Sequence, residues 1–241
     1  MYTQINKIFM ISLFLLHKTL IASYLVNISD NVPPQSGLNE KNIPEGLIIE
    51  LSKSIFKEVN FSAYPLARAL ETTQKEKDSL LFVSRTQERE NNFYWLDKIY
   101  STEVYIYVNS GWIKKNGSSL NNINNLGVIY GSSLIQILKQ KNFRGEISTV
   151  YSNDQNLKKL SSGRINGWIE GQIIAEYIIK KEKMSSKKFE KIGPIFENYT
   201  WIATSIKSNE KFIKQSKKMI EKFKKGEDYK VILKKFSAKN V

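Results

Sequence analysis

The chain has 241 residues, 41% of them hydrophobic and 25% charged, a size and balance that allow one or two globular domains. It has no cysteine and one histidine, His17, so disulfides, thiolate nucleophiles and His/Cys zinc sites are excluded. A leader that carried off His17 would exclude a Ser-His-Asp triad as well.

Residues 1–23 read as an export signal. Lys7 gives the positive start, 8–16 is an uninterrupted apolar run, and Leu20-Ile21-Ala22-Ser23 supplies small residues for cleavage after Ala22 or Ser23. A membrane anchor is the competing reading, but the run is too short to cross a bilayer, and His17 and Lys18 break its continuation. Loss of this segment takes away Lys7 and Lys18 and no acid, which lowers the net charge from +14 to +12.

The alternation at 24–28 (YLVNI) predicts a first strand, ended by the turn at Pro33-Pro34. Gly46 opens a helix whose Leu47, Leu51, Ile55 and Val59 share one face. A strand over 61–64 stops at Pro65, a helix follows over 66–72, and strands follow at 80–83 and 103–108. The polar stretch from Gly111 to Asn125 reads as a surface loop. A second unit opens with a strand at 127–130 that meets Gly131-Ser132-Ser133 and a helix carrying Leu134, Ile137 and Leu138. A strand at 146–151, a helix capped by Asn153-Asp154, a strand emerging from 163–170 and a helix over 173–181 come next. The segment 199–206 reads as a strand returning to the first unit. Two lysine-rich amphipathic helices close the chain, one through Phe212, Met219, Ile220 and Phe223, the other through Tyr229, Ile232, Leu233 and Phe236. Strands alternating with helices in two groups predict two α/β lobes.

A net charge of +14 admits nucleic acid or anionic lipid as a partner. The lysines, however, are scattered or gathered on the last helices (Lys214, Lys217, Lys218, Lys222, Lys224, Lys225), with no interleaved aromatics to stack on bases. They read as solvated faces, and nucleic acid is not expected as a partner.

The residues with most chemistry are Ser84 to Trp95 (SRTQERENNFYW), directly after the apolar run Leu80-Leu81-Phe82-Val83. Arg85 and Arg89 therefore sit at the carboxyl end of a buried strand, where open α/β sheets bind ligands. An arginine there can grip a carboxylate through two parallel charge-assisted hydrogen bonds. The alternative is a surface arginine paired with Glu88 or Glu90. The block resembles the T-x-E-R-x-x-x-F segment of the family 3 bacterial extracellular solute-binding proteins, the receptors of polar amino-acid ABC importers, with Thr86, Glu88, Arg89 and Phe93 at the matching positions.

The resemblance covers 24–236 and implies a type II, two-lobe (Venus-flytrap) α/β fold with a ligand cleft between lobes. It implies lobe 1 over 24–108 and 200–241, lobe 2 over 109–199, and crossings near Val108 to Gly111 and Glu197 to Thr200. It gives Arg89 the ligand's α-carboxylate, Ser84 a hydroxyl contact and Leu66, in Pro65-Leu66, a place in the pocket wall. Gly131-Ser132-Ser133 matches a G-[ST]-[ST] helix start, where free backbone N–H groups favour an anion and where a serine is also an ordinary cap. Arg68 either points into the cleft or bonds a loop, and Arg85 is either pocket rim or surface.

The resemblance breaks at Gly163-Arg164-Ile165-Asn166, which carries Asn166 in place of an aspartate. The position that holds the ammonium-binding aspartate in amino-acid receptors is Gly171 here. Glu170 is adjacent, but neighbouring strand residues face opposite ways, so it substitutes only if the register slips. Trp168 lines the site or belongs to the core. The expected function is a monomeric periplasmic protein, without a cofactor, that captures a small polar solute and delivers it to an ABC permease. The competing expectations are a dehydratase of a cyclic carboxylate with Glu170 as general acid, and a sensor or degenerate receptor with no transport role.

Overall fold

Leu80, Leu81, Phe82 and Val83 are buried on both faces of an extended segment, which requires a strand covered on two sides. In the computed structural model, which describes residues 23–241, that segment lies inside an eight-stranded sheet flanked by helices. The export signal read over 1–23 lies, apart from Ser23, outside the described residues.

The chain opens with β1 (Tyr24–Ser29), followed by β2 (Asn31–Val32), β3 (Ser36–Leu38) and β4 (Pro44–Glu45), which form a separate three-stranded sheet. Next come α1 (Leu47–Phe56), β5 (Val59–Tyr64), α2 (Leu66–Lys75) and β6 (Ser79–Ser84). The long β7 (Phe93–Asn109) leads to α3 (Trp112–Asn116), β8 (Asn125–Ile129), α4 (Ser133–Gln140), β9 (Glu146–Val150) and α5 (Asn153–Ser161). β10 (Gly167–Gly171), α6 (Gln172–Lys181), the equally long β11 (Phe189–Ser205), α7 (Glu210–Lys224) and α8 (Glu227–Lys235) complete it.

The strand order is β5-β1-β6-β11-β7-β10-β8-β9. Both flanks are parallel, β5, β1 and β6 on one side and β10, β8 and β9 on the other. The centre is antiparallel: β11 pairs with β6 through Thr200–Thr204 and with β7 along nearly its whole length, and β7 pairs with β10 through Val104–Tyr107. Two lobes result, each with its own buried side chains. One gathers Val26, Leu51, Leu80, Ile99, Ile202 and Leu233. The other gathers Val104, Ile106, Val128, Leu138, Ile169 and Ile192. Each such side chain contributes about 1.5–3 kcal/mol by leaving water.

Several elements differ from expectation. The strand expected at 103–108 is the second half of β7, which already starts at Phe93, and the strand expected at 199–206 is the end of β11. Register shifts between the two, at Ile192/Phe196, Thr200/Trp201 and Ile202/Ala203, spoil the two-residue alternation that a pattern reading needs. The polar loop after Gly111 contains α3 and a 3-10 turn at Leu120–Asn122. The helix over 153–161 is capped by Ser152, whose Oγ accepts from the Gln155 N–H at 3.4 Å, not by Asn153-Asp154. Asn153 is thereby released for other work.

Candidate functional site

β1 and β6 end at Ser29 and Ser84, and β8 and β10 end at Ile129 and Gly171. All four ends line a single cavity of ≈ 110 Å³ between the lobes. The carboxyl ends of the parallel strands thus face one another across it, the arrangement in which α/β sheets hold ligands. Tyr100, Thr102, Asn198 and Thr200, from the two long strands, line the cavity as well.

Arg89 stands on a 3-10 turn, Gln87–Asn92, just past β6. Its Nη1 donates to the Ser84 carbonyl at 3.0 Å and its Nη2 to the Gly131 carbonyl of the opposite lobe at 3.1 Å. Burial holds its pKa below the usual arginine value, partly offset by Glu88. Among the described residues no carboxylate forms an ion pair with it; Glu90 pairs instead with Arg85, which also lies 4.7 Å above the Trp201 ring. A half-buried guanidinium held by two backbone carbonyls has donors to spare for an anion.

Ser84 lines the cavity, with its Oγ accepting from Asn198 Nδ2 at 3.0 Å. Ser132 caps α4, its Oγ accepting from the Leu134 N–H at 3.2 Å, and the buried Ser133 beside it faces the cavity; cap and cavity wall coincide. Leu66, at the start of α2, is a further part of the wall.

Two expected site residues are elsewhere. Arg68 is exposed, its guanidinium 5.1 Å from the centre of the Tyr64 ring, because the first turn of α2 turns that side to solvent. Trp168 is core: fully buried, it packs on Tyr107 with ring centres 5.5 Å apart and donates from Nε1 to Asn153 Oδ1 at 3.2 Å.

Glu170 reaches the cavity although no register slip occurs on β10, where Glu170 faces Tyr105 and Gly171 faces Val104 across the ladder. It shares the Trp168 side of the strand, and at the strand's last turn its Oε1 curls back to accept the Gly171 N–H at 2.7 Å. Burial pushes its carboxyl up to about 7, against the pull of that N–H and of the neighbouring Asn153 side chain. Gly171 leaves no replacement for an acid, since a Cβ there would lie 3.1 Å from the Thr102 methyl.

Sequence reading missed Tyr100, Asn153, Thr102, Asn198 and Thr200. The Tyr100 hydroxyl and Asn153 Nδ2 are buried without a full hydrogen bond, which costs about 1–3 kcal/mol each unless a guest supplies the partner. Only Asn153 carries a signal in the sequence, as a residue at a helix start.

No protein-family model matches the chain, and no curated protein matches it in sequence. Solved structures do match. A histidine kinase sensor domain with similarity to periplasmic binding proteins is 12% identical over 91% of this chain and 98% of its own, with a TM-score of 0.80. The ancestral amino acid-binding protein AncCDT-1, a precursor of cyclohexadienyl dehydratase, is 17% identical over 89% of this chain and 94% of its own, with a TM-score of 0.76. An ABC uptake transporter substrate binding protein from Streptococcus pneumoniae with bound histidine is 15% identical over 89% of this chain and 92% of its own, also at 0.76. With its strand ends converging on one cavity between two lobes, the chain has the α/β fold of the periplasmic binding proteins.

Proposed function

We propose that the protein is a binding protein that captures a small carboxylate-bearing solute by closing its lobes and presents it to an ABC importer. The observation that carries the reading is Arg89: a guanidinium drawn out of water at the cavity, bonded to both lobes and, among the described residues, lacking a carboxylate partner. A buried cation without its counter-charge is costly, and a guest's carboxylate removes that cost. The two orphaned polar atoms of Tyr100 and Asn153 argue for a polar guest in the same space.

The lobes in this reading are hinged on β7 and β11 and divide between Tyr100 and Val104 on β7, short of the expected boundary at Val108, because Val104, Ile106 and Val108 pack in the second lobe. Ligand contacts from both sides exist together only when the lobes are shut, so binding shifts the population toward closure. In this reading the leader over 1–23 directs export to the periplasm and the protein acts as a monomer; the likeness to an ABC uptake substrate-binding protein supports an importer as its partner. The likeness to a sensor domain favours a second reading, in which closure reports the solute instead of delivering it. An enzyme reading rests on Glu170 alone, and a single carboxyl near neutrality serves a hydrogen bond as readily as a proton transfer.

A thermal-shift panel of amino acids, hydroxy and oxo acids, dicarboxylates and polyamines tests the proposal. A true ligand at about a hundred times its Kd adds about 2.7 kcal/mol of stability. Arg89→Ala abolishes that shift. A shift retained in the variant removes Arg89 from the site.

A further inference from the structure

If the cleft takes a carboxylate on Arg89, as proposed above, the atoms around Glu170 specify what the guest carries next to it. Asn153 is 3% exposed, and its Oδ1 accepts from Trp168 Nε1. An indole N–H can only donate, so this bond fixes the orientation of the carboxamide. Nδ2 is left for Glu170 and the cavity, and it makes no full hydrogen bond.

Glu170 is also capped, with Oε1 occupied by the Gly171 N–H. An ammonium placed here would bring three more donors to a carboxyl that the Gly171 N–H already addresses, and it would offer Asn153 Nδ2 nothing to donate to. An oxygen on the guest does the opposite. It accepts from Asn153 Nδ2 and can accept from the buried Tyr100 hydroxyl, which makes no full hydrogen bond and has only the Thr200 hydroxyl close by. The size of the space bounds the guest. A cavity of about 150 Å³ takes benzene, with about six heavy atoms. The ≈ 110 Å³ here suits something no larger.

We propose that the guest is a short carboxylate with an oxygen at C2, a 2-hydroxy or 2-oxo acid, and not the corresponding amino acid. Its carboxylate lies on Arg89 and its C2 oxygen accepts from Asn153 Nδ2. Burial then has a use: a protonated Glu170 adds a donor and removes a negative charge from beside an anionic guest. The other titratable or charged groups facing Glu170 are Tyr105, Tyr107 and Tyr100 on β7 and Arg89 across the cavity. Tyr100 and Tyr107 are pushed upward by burial, Tyr105 by its bond to Glu103, and the arginine stays protonated, so of these groups Glu170 alone changes charge near neutrality.

Titration calorimetry on the purified protein with glycolate, lactate, pyruvate, glycine and L-alanine, at about pH 6 and about pH 8, tests this. The expected result is that at least one of the oxygen acids binds about tenfold or more tighter than its amino counterpart, and tighter at the lower pH. Asn153→Asp, which replaces the donor by an acceptor, weakens that binding about tenfold or more. Tyr100→Phe, which deletes the hydroxyl and keeps the buried ring, weakens it too. Tighter binding of the amino acids, binding that strengthens toward the higher pH, or unchanged affinity in Tyr100→Phe overturns the inference while leaving Arg89 as a carboxylate site. Binding confined to larger amino acids or dicarboxylates does the same. If no carboxylate binds at all, the proposed function falls with it.

Discussion

Arg89 and the Gly131 carbonyl meet across the cleft at 3.1 Å, while the same guanidinium holds the Ser84 carbonyl on its own side. One planar group thus touches both lobes. Lysine carries the same charge without the fork, and it cannot reproduce both bonds and still grip a carboxylate. Arg89→Lys is expected to weaken ligand binding about tenfold or more, with stability changed by less than about 1 kcal/mol. Arg85→Ala serves as the control, because Arg85 is committed to Glu90 and two tryptophans at the surface. Calorimetry that finds equal losses for the two variants would remove the distinction between them.

Glu170 makes stability depend on pH. Burial raises its carboxyl to about 7 from an ordinary 4.5, so the folded chain keeps a proton that the unfolded chain has released. The stability this contributes is complete below about pH 4.5 and is lost as pH rises through about 7, roughly 3 kcal/mol in all. Glu170→Gln removes the dependence. Urea unfolding across this range should show the wild type losing ground to the variant as pH rises; parallel curves would contradict the assignment.

Trp168 fills the space between Tyr107 and α5 and satisfies Asn153 Oδ1. Trp168→Phe leaves a void and an unpaired buried oxygen together. A loss of about 2–4 kcal/mol is expected from denaturant unfolding. A loss under about 1 kcal/mol would mean that Asn153 finds another donor.

Gly46 has φ +120 at the entry to α1, and a Cβ there would lie 2.6 Å from the Pro34 carbonyl oxygen, which accepts the Leu47 N–H. Both backbone strain and the clash oppose any side chain. Gly46→Ala is expected to cost about 2 kcal/mol or more in denaturant unfolding, without changing ligand specificity.

The parallel flanks were legible because their strands are short runs with apolar residues at their centres, bounded by Pro, Gly or Ser. β6 with its four-residue apolar centre is the clearest case. The central strands were half legible. Bulges disturb their alternation, and Gly193-Pro194 punctuates β11 as a loop would. The motif around Arg89 brought Ser84, Leu66, Ser132 and Ser133 to one cavity, since each lies at an element end that the pattern fixes. Asn153, Tyr100 and Asn198 were hidden for a different reason. Their meaning depends on partners outside their own element, 15 residues away for Asn153 and Trp168 and 114 for Asn198 and Ser84, and no local pattern records that. Glu170 was legible as a residue and misjudged in reach. Alternation tells which side of a strand a side chain leaves from, not how far a long one bends at the strand's end.

β7 and β11 run side by side for 17 residues each, so the halves are joined by a two-stranded ribbon instead of two independent tethers. Sliding or wholesale separation would have to break many ladder bonds at once, whereas flexing near the register shift at Thr200/Trp201, between the two lobes' cores, breaks few. The ribbon therefore works as a leaf spring with a built-in crease. In the closure proposed above, that flexing carries Gly131 toward or away from Arg89.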